Sequence, residues 1–478
     1  MQWIERGFVL VAWIGVSAAA SAPAAELHVG VAEANITHAK PMALWGQMGT
    51  RIGSVVESPV TAQVVALESR DAGRSLDAAV MISGDIVGIP EPALAALRQS
   101  VAKRLPGFDA AKLFVNGTHT HTGPVFEEGI YHLPKEGVVS PTEYVRFFVE
   151  RVTDAVARAW EGRKPGAVAW GMGHAVIGQN RRAVYADGRA FMYGATNLPD
   201  FRGIEGYEDH AVETLFFFDR QKKLLAATVN LACTAQEVEG RSTVNADFFH
   251  EVREGLRKRH GADLKVLGWI AAAGDQSPHL MFRQRAEDRM RELRGLNRLQ
   301  EIARRIVLAV DEAYDGAKKD IRTDVVLAHR TARLKLPVRM VSAEEAAAAK
   351  AKVASLSKDP ANRTLIWWHQ GIVDRFERQK PDSTHEAEIH VLRLGDVAIC
   401  TNPFELFLDY GIQMKSRSRA MHTFVIQLTG PGSYLATARA VRGGGYSAIA
   451  ESNPVSPEGG QVLTDATVEA INALWPAK

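Results

Sequence analysis

The sequence predicts an α/β fold of mixed β-sheets flanked by helices. Three observations carry this expectation. Apolar, β-branched runs alternate with stretches of three-to-four apolar spacing. The chain has 478 residues, 46% hydrophobic and 23% charged, ordinary proportions for a globular protein with a large core. Polar residues gather where the apolar runs stop, which is where a rigid scaffold usually presents its chemistry.

The elements follow in order. "ELHVGVAEANIT" opens as a strand, and "SPVTAQVVALES" and "DAAVMISGDIVG" are two more across the turn "RDAGRS". "PEPALAALRQSVAKRL" has helical spacing and an early proline. "AKLFVNGTHTHTGP" is a strand running into a loop, "TEYVRFFVERVTDAVARAWEG" a long amphipathic helix, and "GAVAWGMGHAVIG" a strand. "VETLFFFDRQKKLLAATVNLAC" is a hairpin turning at Arg220 to Lys223. "DFFHEVREGLRKRHG" is helical, and "LKVLGWIAAAGDQSP" is a buried strand ending in a loop. The charged segment Arg283 to Ala317 reads as one or two solvated outer helices, and "SAEEAAAAKAKVASLSKD" as another exposed helix. Strands "EAEIHVLRLGDVAICTNP" and "HTFVIQLTGPGSY" follow. The expected organisation is one domain over 26–478, with a helical insertion around 283–360.

Residues 1–25 differ from the rest. A short polar start, an apolar run from Phe8 to Val16 and the small-residue steps Ala20-Ser21-Ala22 and Ala22-Pro23-Ala24 read as an export signal peptide. The mature chain is then expected to begin near Ala25 or Glu26, in the periplasm or outside the cell. The net charge of +2 gives no reason to expect a nucleic-acid partner. Cys233 and Cys400 are too few for a disulfide framework and read as buried free thiols.

Four strand ends concentrate polar groups. The first holds His119 and His121, whose alternation in an extended strand would turn both imidazoles to one side, as metal ligands or an acid–base pair. The second, "AAAGDQSPHL", exposes Asp275 and Ser277; the third, "CTNPFELF", carries Glu405; the fourth, "TGPGSYLATARAVRGGGYSA", carries Tyr434 and Tyr446. No H-E-x-x-H, G-x-S-x-G or P-loop is present. Spacing alone suggests a metal-assisted hydrolase.

Together, in this order, the four motifs resemble the neutral (non-lysosomal) ceramidases. "GTHTHTGP" is similar to that family's T-H-T-H-S-G-P signature, "GDQSP" to G-D-V-S-P, "NPFELF" to P-G-E-F and "GSYLAT" to Y-V-T-T. The resemblance runs from about Leu27 to the C-terminus. It implies a catalytic domain of that family and a zinc-dependent hydrolase of linear amide bonds in an N-acyl lipid such as ceramide. It implies zinc ligands at His119, Glu405 and Tyr434. It implies catalytic roles for His121, Ser277, Arg181 and Tyr446, with Asp275 beside the serine. Ser277 is either the nucleophile or a hydrogen-bond donor to the carbonyl. The implied partner is a small amphipathic lipid or another amide substrate, with peripheral contact at a membrane surface. The family places one more zinc-ligand histidine after a strand like "ATVNLAC". Here Thr234 stands in that place, and Gln236, Glu237, His210 and His250 are the candidates to substitute for it. The family also continues into an immunoglobulin-like C-terminal domain, which this chain is expected to lack. Those departures leave room for a different amide or ester substrate, or for a non-catalytic binding protein on the same fold.

Overall fold

The computed structural model describes residues 12–13 and 25–475. The export signal expected over residues 1–25 therefore lies almost wholly outside the described residues. The first half of the chain builds a large mixed sheet: β1 (Ala25–Asn35), β2 (Thr61–Asp71), β3 (Arg74–Gly84), helix α1 (Glu91–Arg104), β4 (Leu113–Gly117), α2 (Pro141–Gly162), β5 (Lys164–His174), β6 (Ala211–Asp219), β7 (Leu224–Leu231), α3 (Phe248–His260) and β8 (Lys265–Ile270). The second half adds α4 (Gln284–Leu293), α5 (Arg298–Ala317), β9 (Leu327–Pro337), α6 (Ala343–Leu356), α7 (Arg363–Arg378), β10 (Thr384–Leu394), β11 (Val397–Thr401), α8 (Leu408–Arg417), β12 (His422–Ile426), α9 (Ala438–Gly443) and α10 (Pro457–Asn472). The long strands of the first sheet lie in the order β8-β7-β6-β5-β1-β2-β3-β4, and those of the second in the order β9-β10-β11-β12.

The layers follow from which faces are apolar. Leu94, Leu97 and Val101 of α1 and Phe148, Val152 and Val156 of α2 pack on Val64, Val80 and Val115 of the first sheet. Ile302, Ile306 and Val310 of α5 and Phe249 and Val252 of α3 pack on Phe216, Val229 and Val266. The opposite face of the first sheet meets the second sheet through Leu67, Met81, Phe114, Leu267 and Trp269 against Leu392, Ile399, Phe424 and Ile426. Helices α8 and α10 close the outside through Tyr410, Met414, Leu463 and Ile471. The result is a helix–sheet–sheet–helix stack. It explains why β2 reads as a near-continuous apolar run: both of its faces are covered.

The segment 283–360 is not a helical insertion throughout. Strand β9, inside it, pairs along its full length with β10 at the heart of the second sheet. Helix α5 lies in the outer layer and buries one apolar stripe, while α4 buries none of its residues. Among the described residues no helix is long and apolar enough to cross a membrane.

Three pairs of adjacent strands, β3 with β4, β7 with β8 and β11 with β12, run parallel. Parallel neighbours send their C-terminal loops out at the same edge, so these loops can share one site. Gln427, fully buried after β12, stitches them. Its backbone donates to Ile270 O at 2.9 Å, and its Oε1 accepts from Ala273 N at 3.1 Å and Leu406 N at 3.0 Å. Below them Asp85 takes both arms of Arg253 at 2.8 Å, an ion pair withdrawn from water.

Glu301 in α5 tests how α5 is anchored. Hydrogen bonds from Arg304, and next from Arg305, hold its carboxyl down from an ordinary 4.5 to about 2, against the opposing effect of burial. The stability this contributes is fully present above the ordinary pKa and is lost as pH falls toward the folded one. Glu301→Gln should melt below the wild type at pH 7, and the gap should close between pH 4.5 and about 2. A gap independent of pH would show that the ion pairs do not anchor the helix.

Candidate active site

Strand β4 ends at Gly117, so the two histidines lie beyond it, in a loop. Strand alternation is therefore not what pairs them. His119 takes a left-handed backbone, φ 67, and this turn brings the two rings together, centroids 4.8 Å apart. A β-carbon-bearing residue rarely holds that conformation, and the cost of about 1 kcal/mol is typical of functional loops. Gly46 passes over the His121 ring so closely that a Cβ there would sit 2.3 Å from Cγ. Arg51 then pins the loops by donating to His121 O at 2.6 Å and Glu239 O at 2.7 Å.

The other expected ligands meet His119 from the second sheet. Glu405 and Tyr434 are register partners in a short parallel ladder after β11 and β12, so they stand side by side. Glu405 Oε2 lies 3.4 Å from His119 Nε2. Burial alone would raise the Glu405 carboxyl, but His119, Arg181 and a hydrogen bond from Tyr434 hold it below its ordinary range. His121 Nε2 lies 3.3 Å from His119 Nε2. Burial, His119 and the nearby Arg51 and Arg181 push His121 well below the usual histidine range.

Arg181 is the hub. It is buried, and its guanidinium donates to Gly274 O at 2.9 Å, Tyr193 OH at 3.1 Å, Tyr434 OH at 3.2 Å and Gln236 Oε1 at 3.4 Å. Its backbone N–H donates to Asp275 O at 2.9 Å.

These donors fit a cation. His119 Nδ1 faces the Val87 carbonyl at 2.8 Å and must carry the proton there, which leaves Nε2 free. Two donors of one tetrahedral zinc ion, each about 2.1 Å from it, stand about 3.4 Å apart. The separation of His119 Nε2 from Glu405 Oε2 meets that requirement. Among the described residues no three His, Cys, Asp or Glu side chains converge closely enough to hold a metal alone. A metal held there would need a further donor, and Tyr434 stands in register beside Glu405. Thr234 is not that donor: Thr234 Oγ1 donates to Gln236 Oε1 at 2.5 Å, and Gln236 reaches His121 instead. Glu237 is taken by Arg298, and His210 faces Glu208. His250 lies on α3.

His119, Glu405 and Tyr446 border a cavity of about 290 Å³ walled by Trp45, Trp367 and Trp368. Tyr446 sits between Trp368 and Tyr434, with centroids at 5.6 and 5.8 Å. Asp275 and Ser277 are not exposed at the strand end. Both are buried. Asp275 accepts from Leu408 N and Asn180 Nδ2, tying loops together behind the cavity. Ser277 Oγ accepts from His279 N at 3.0 Å and shares a hydrogen bond with Tyr193, one step from Arg181. Sequence reasoning missed Tyr193, Glu239, Gln47, His279 and the indoles of α7. The only sequence signal for the last was the adjacent pair "WW" at 367–368.

Fold and site define an α/β protein whose buried histidine–carboxylate–tyrosine cluster lies under an apolar cavity at parallel strand ends. Among solved structures, the chain matches the neutral ceramidase from Pseudomonas aeruginosa with a TM-score of 0.68 at 16% sequence identity, over 95% of this chain and 76% of that one. A ceramidase complexed with C2 matches with a TM-score of 0.65 at 15% identity, over 94% of this chain and 75% of that one. No protein-family model matches the sequence, and no curated protein does. The chain has the neutral ceramidase fold.

The left-handed turn at residue 119 has a direct test. His119→Gly should unfold at a higher temperature than His119→Ala, by the equivalent of about 1 kcal/mol, because only glycine adopts positive φ freely. Equal midpoints would mean that the backbone there is not held left-handed.

Proposed function

We propose that the protein is an exported zinc-dependent amide hydrolase acting on an N-acyl lipid such as ceramide, releasing fatty acid and a long-chain amine. The observation that carries this is the meeting of His119 and Glu405 at the wall of an indole-lined cavity, with Tyr434 in register beside Glu405, within the neutral ceramidase fold. His119, Glu405 and Tyr434 would hold the zinc. Bound zinc supplies a polarised carbonyl and a water acidified to a pKa of about 7.

The chain's own groups do the rest. Trp45, Trp367 and Trp368 shelter the apolar part of the substrate and exclude water from it. Arg181 brings a buried positive charge beside Tyr434, where negative charge develops on the carbonyl oxygen. The Tyr446 hydroxyl, from the cavity wall, is a second donor to that oxygen. His121, 3.3 Å from His119, is the group beside the reacting centre for proton transfer. Ser277 acts from behind, through Tyr193, on the placement of Arg181.

A second reading has its own support. The cavity, about 290 Å³, is at the small end of ligand pockets, which run from about 300 to 1,000 Å³. That size favours a short acyl chain or another small amide or ester over a long one. Turnover of N-acyl substrates of graded chain length separates the two readings.

Purified protein should contain about one zinc per chain, and His119→Ala should lose it. Zinc-supplied protein that holds none would exclude the metal assignment. Ser277→Ala should cut turnover about 10- to 100-fold while circular dichroism stays native. Unchanged turnover would remove Ser277 from the reaction.

A further inference from the structure

A second cavity, of about 860 Å³, shares no wall residue with the indole-lined one. It meets the reacting cluster through Tyr193 and His279, which both border it. The Tyr193 hydroxyl accepts from Arg181 at 3.1 Å, and Arg181 donates in turn to Tyr434. His279 donates its backbone N–H to Ser277 Oγ at 3.0 Å and sets its ring 5.2 Å from the Tyr193 ring. Thr196 Oγ1, donating to Met281 O at 2.8 Å, ties the two sides of the cavity together.

The fixed charge of this wall has one sign. Arg283 and Arg285 border the cavity, and no aspartate or glutamate does. The Arg283 guanidinium lies over the Phe282 ring at 4.6 Å. The acidic residues next in sequence, Glu287 and Asp288, are held elsewhere, by Arg305 at 2.5 Å and by Arg291 at 3.1 Å. Among the described residues no carboxylate pairs with Arg283 or Arg285. Arg283 also takes a left-handed backbone, φ 64, where it opens α4, and no side chain caps that helix. The first-turn residues Gln284, Arg285 and Ala286 border the cavity, and the N–H groups of a helix start favour an anion.

We propose that this cavity binds an anionic group, a carboxylate or phosphate, carried on the amine portion of the amide substrate, with Arg283 and Arg285 as the residues that select it. A guanidinium offers such a group two parallel N–H donors. The proposal rests on the amide hydrolase assignment for the reaction. It narrows the substrate class from N-acyl lipids at large to N-acyl amines that bear an anion. The Tyr193 side chain stands between Arg181 and this wall, so a spacer separates the anion from the amide.

The test offers N-octanoylglycine and N-octanoyl-γ-aminobutyrate, each beside its neutral carboxamide, to the full chain supplied with zinc. For at least one spacer kcat/KM should be about 10-fold higher for the anion, mostly through KM. The double variant Arg283→Ala, Arg285→Ala should bring that ratio to about 1, and lysine at both positions should keep most of it. Both arginines are exposed on a segment where α4 buries none of its residues, so these variants should fold. Arg289→Ala, exposed on the same helix outside the cavity wall, should keep the wild-type ratio. Equal rates for anion and neutral amide at both spacers would overturn the proposal, and so would a preference that survives the double alanine variant. If inorganic phosphate binds through both arginines while the anionic amides gain nothing, the cavity takes a free anion and the substrate reading is overturned. If no amide is hydrolysed, equilibrium dialysis of the two anionic amides decides. Binding about 10-fold weaker in the double alanine variant keeps the subsite while the hydrolase assignment falls, and equal binding overturns the subsite as well.

Discussion

The buried guanidinium of Arg181 is the interaction on which the site depends. Placing a cation in a dry interior costs several kcal/mol unless its donors are satisfied. Here its hydrogen bonds run to neutral oxygens on Gly274, Tyr193, Tyr434 and Gln236. Each of those partners belongs to a different loop. Satisfying one charge therefore locks several loops into a single arrangement. Because the partners carry no compensating charge, the positive field stays available to Glu405.

The sheets make this hub reachable. The parallel strand pairs deliver their C-terminal loops to one edge, and Gln427 and the Asp85–Arg253 pair fasten those loops from beneath. Glu405 and Tyr434 need no long-range adjustment, because a short ladder sets them in register. The cavity wall comes from elsewhere: helix α7 supplies Trp367 and Trp368. Glu405 and Tyr434 stand on a sheet edge, and the indole wall is a helix laid beside it.

Much of the scaffold is legible in the residue pattern. The hairpin at Arg220 to Lys223, the helices α1, α2 and α3 and the strand ends all show in periodicity and turn residues, because these are local properties. Strand β9 is hidden within a helical stretch, since it lies between helices α5 and α6 and its exposed positions carry Arg330, Arg333 and Lys335. Asp275 and Ser277 read as exposed because a glycine and a proline bracket them. Burial by loops distant in sequence is invisible at that level. The spacing of His119 and His121 links them correctly but implies the wrong geometry: a left-handed turn pairs them, not a pleated strand.

The sequence by itself determined the α/β class, the strand-end positions of His119, Glu405 and Tyr434, and the threonine, in place of a histidine, at position 234. Those are matters of residue identity and short-range periodicity. Only the tertiary structure decided that Gln236, and not Glu237, His210 or His250, is the group that reaches His121. It alone placed Glu239 on the far side of that ring and the α7 indoles at the cavity. The physical reason is that donor and acceptor roles depend on which atoms face one another across loops distant in sequence. Gln236 and His121, 115 residues apart in the chain, come within 2.7 Å of one another only in the folded protein.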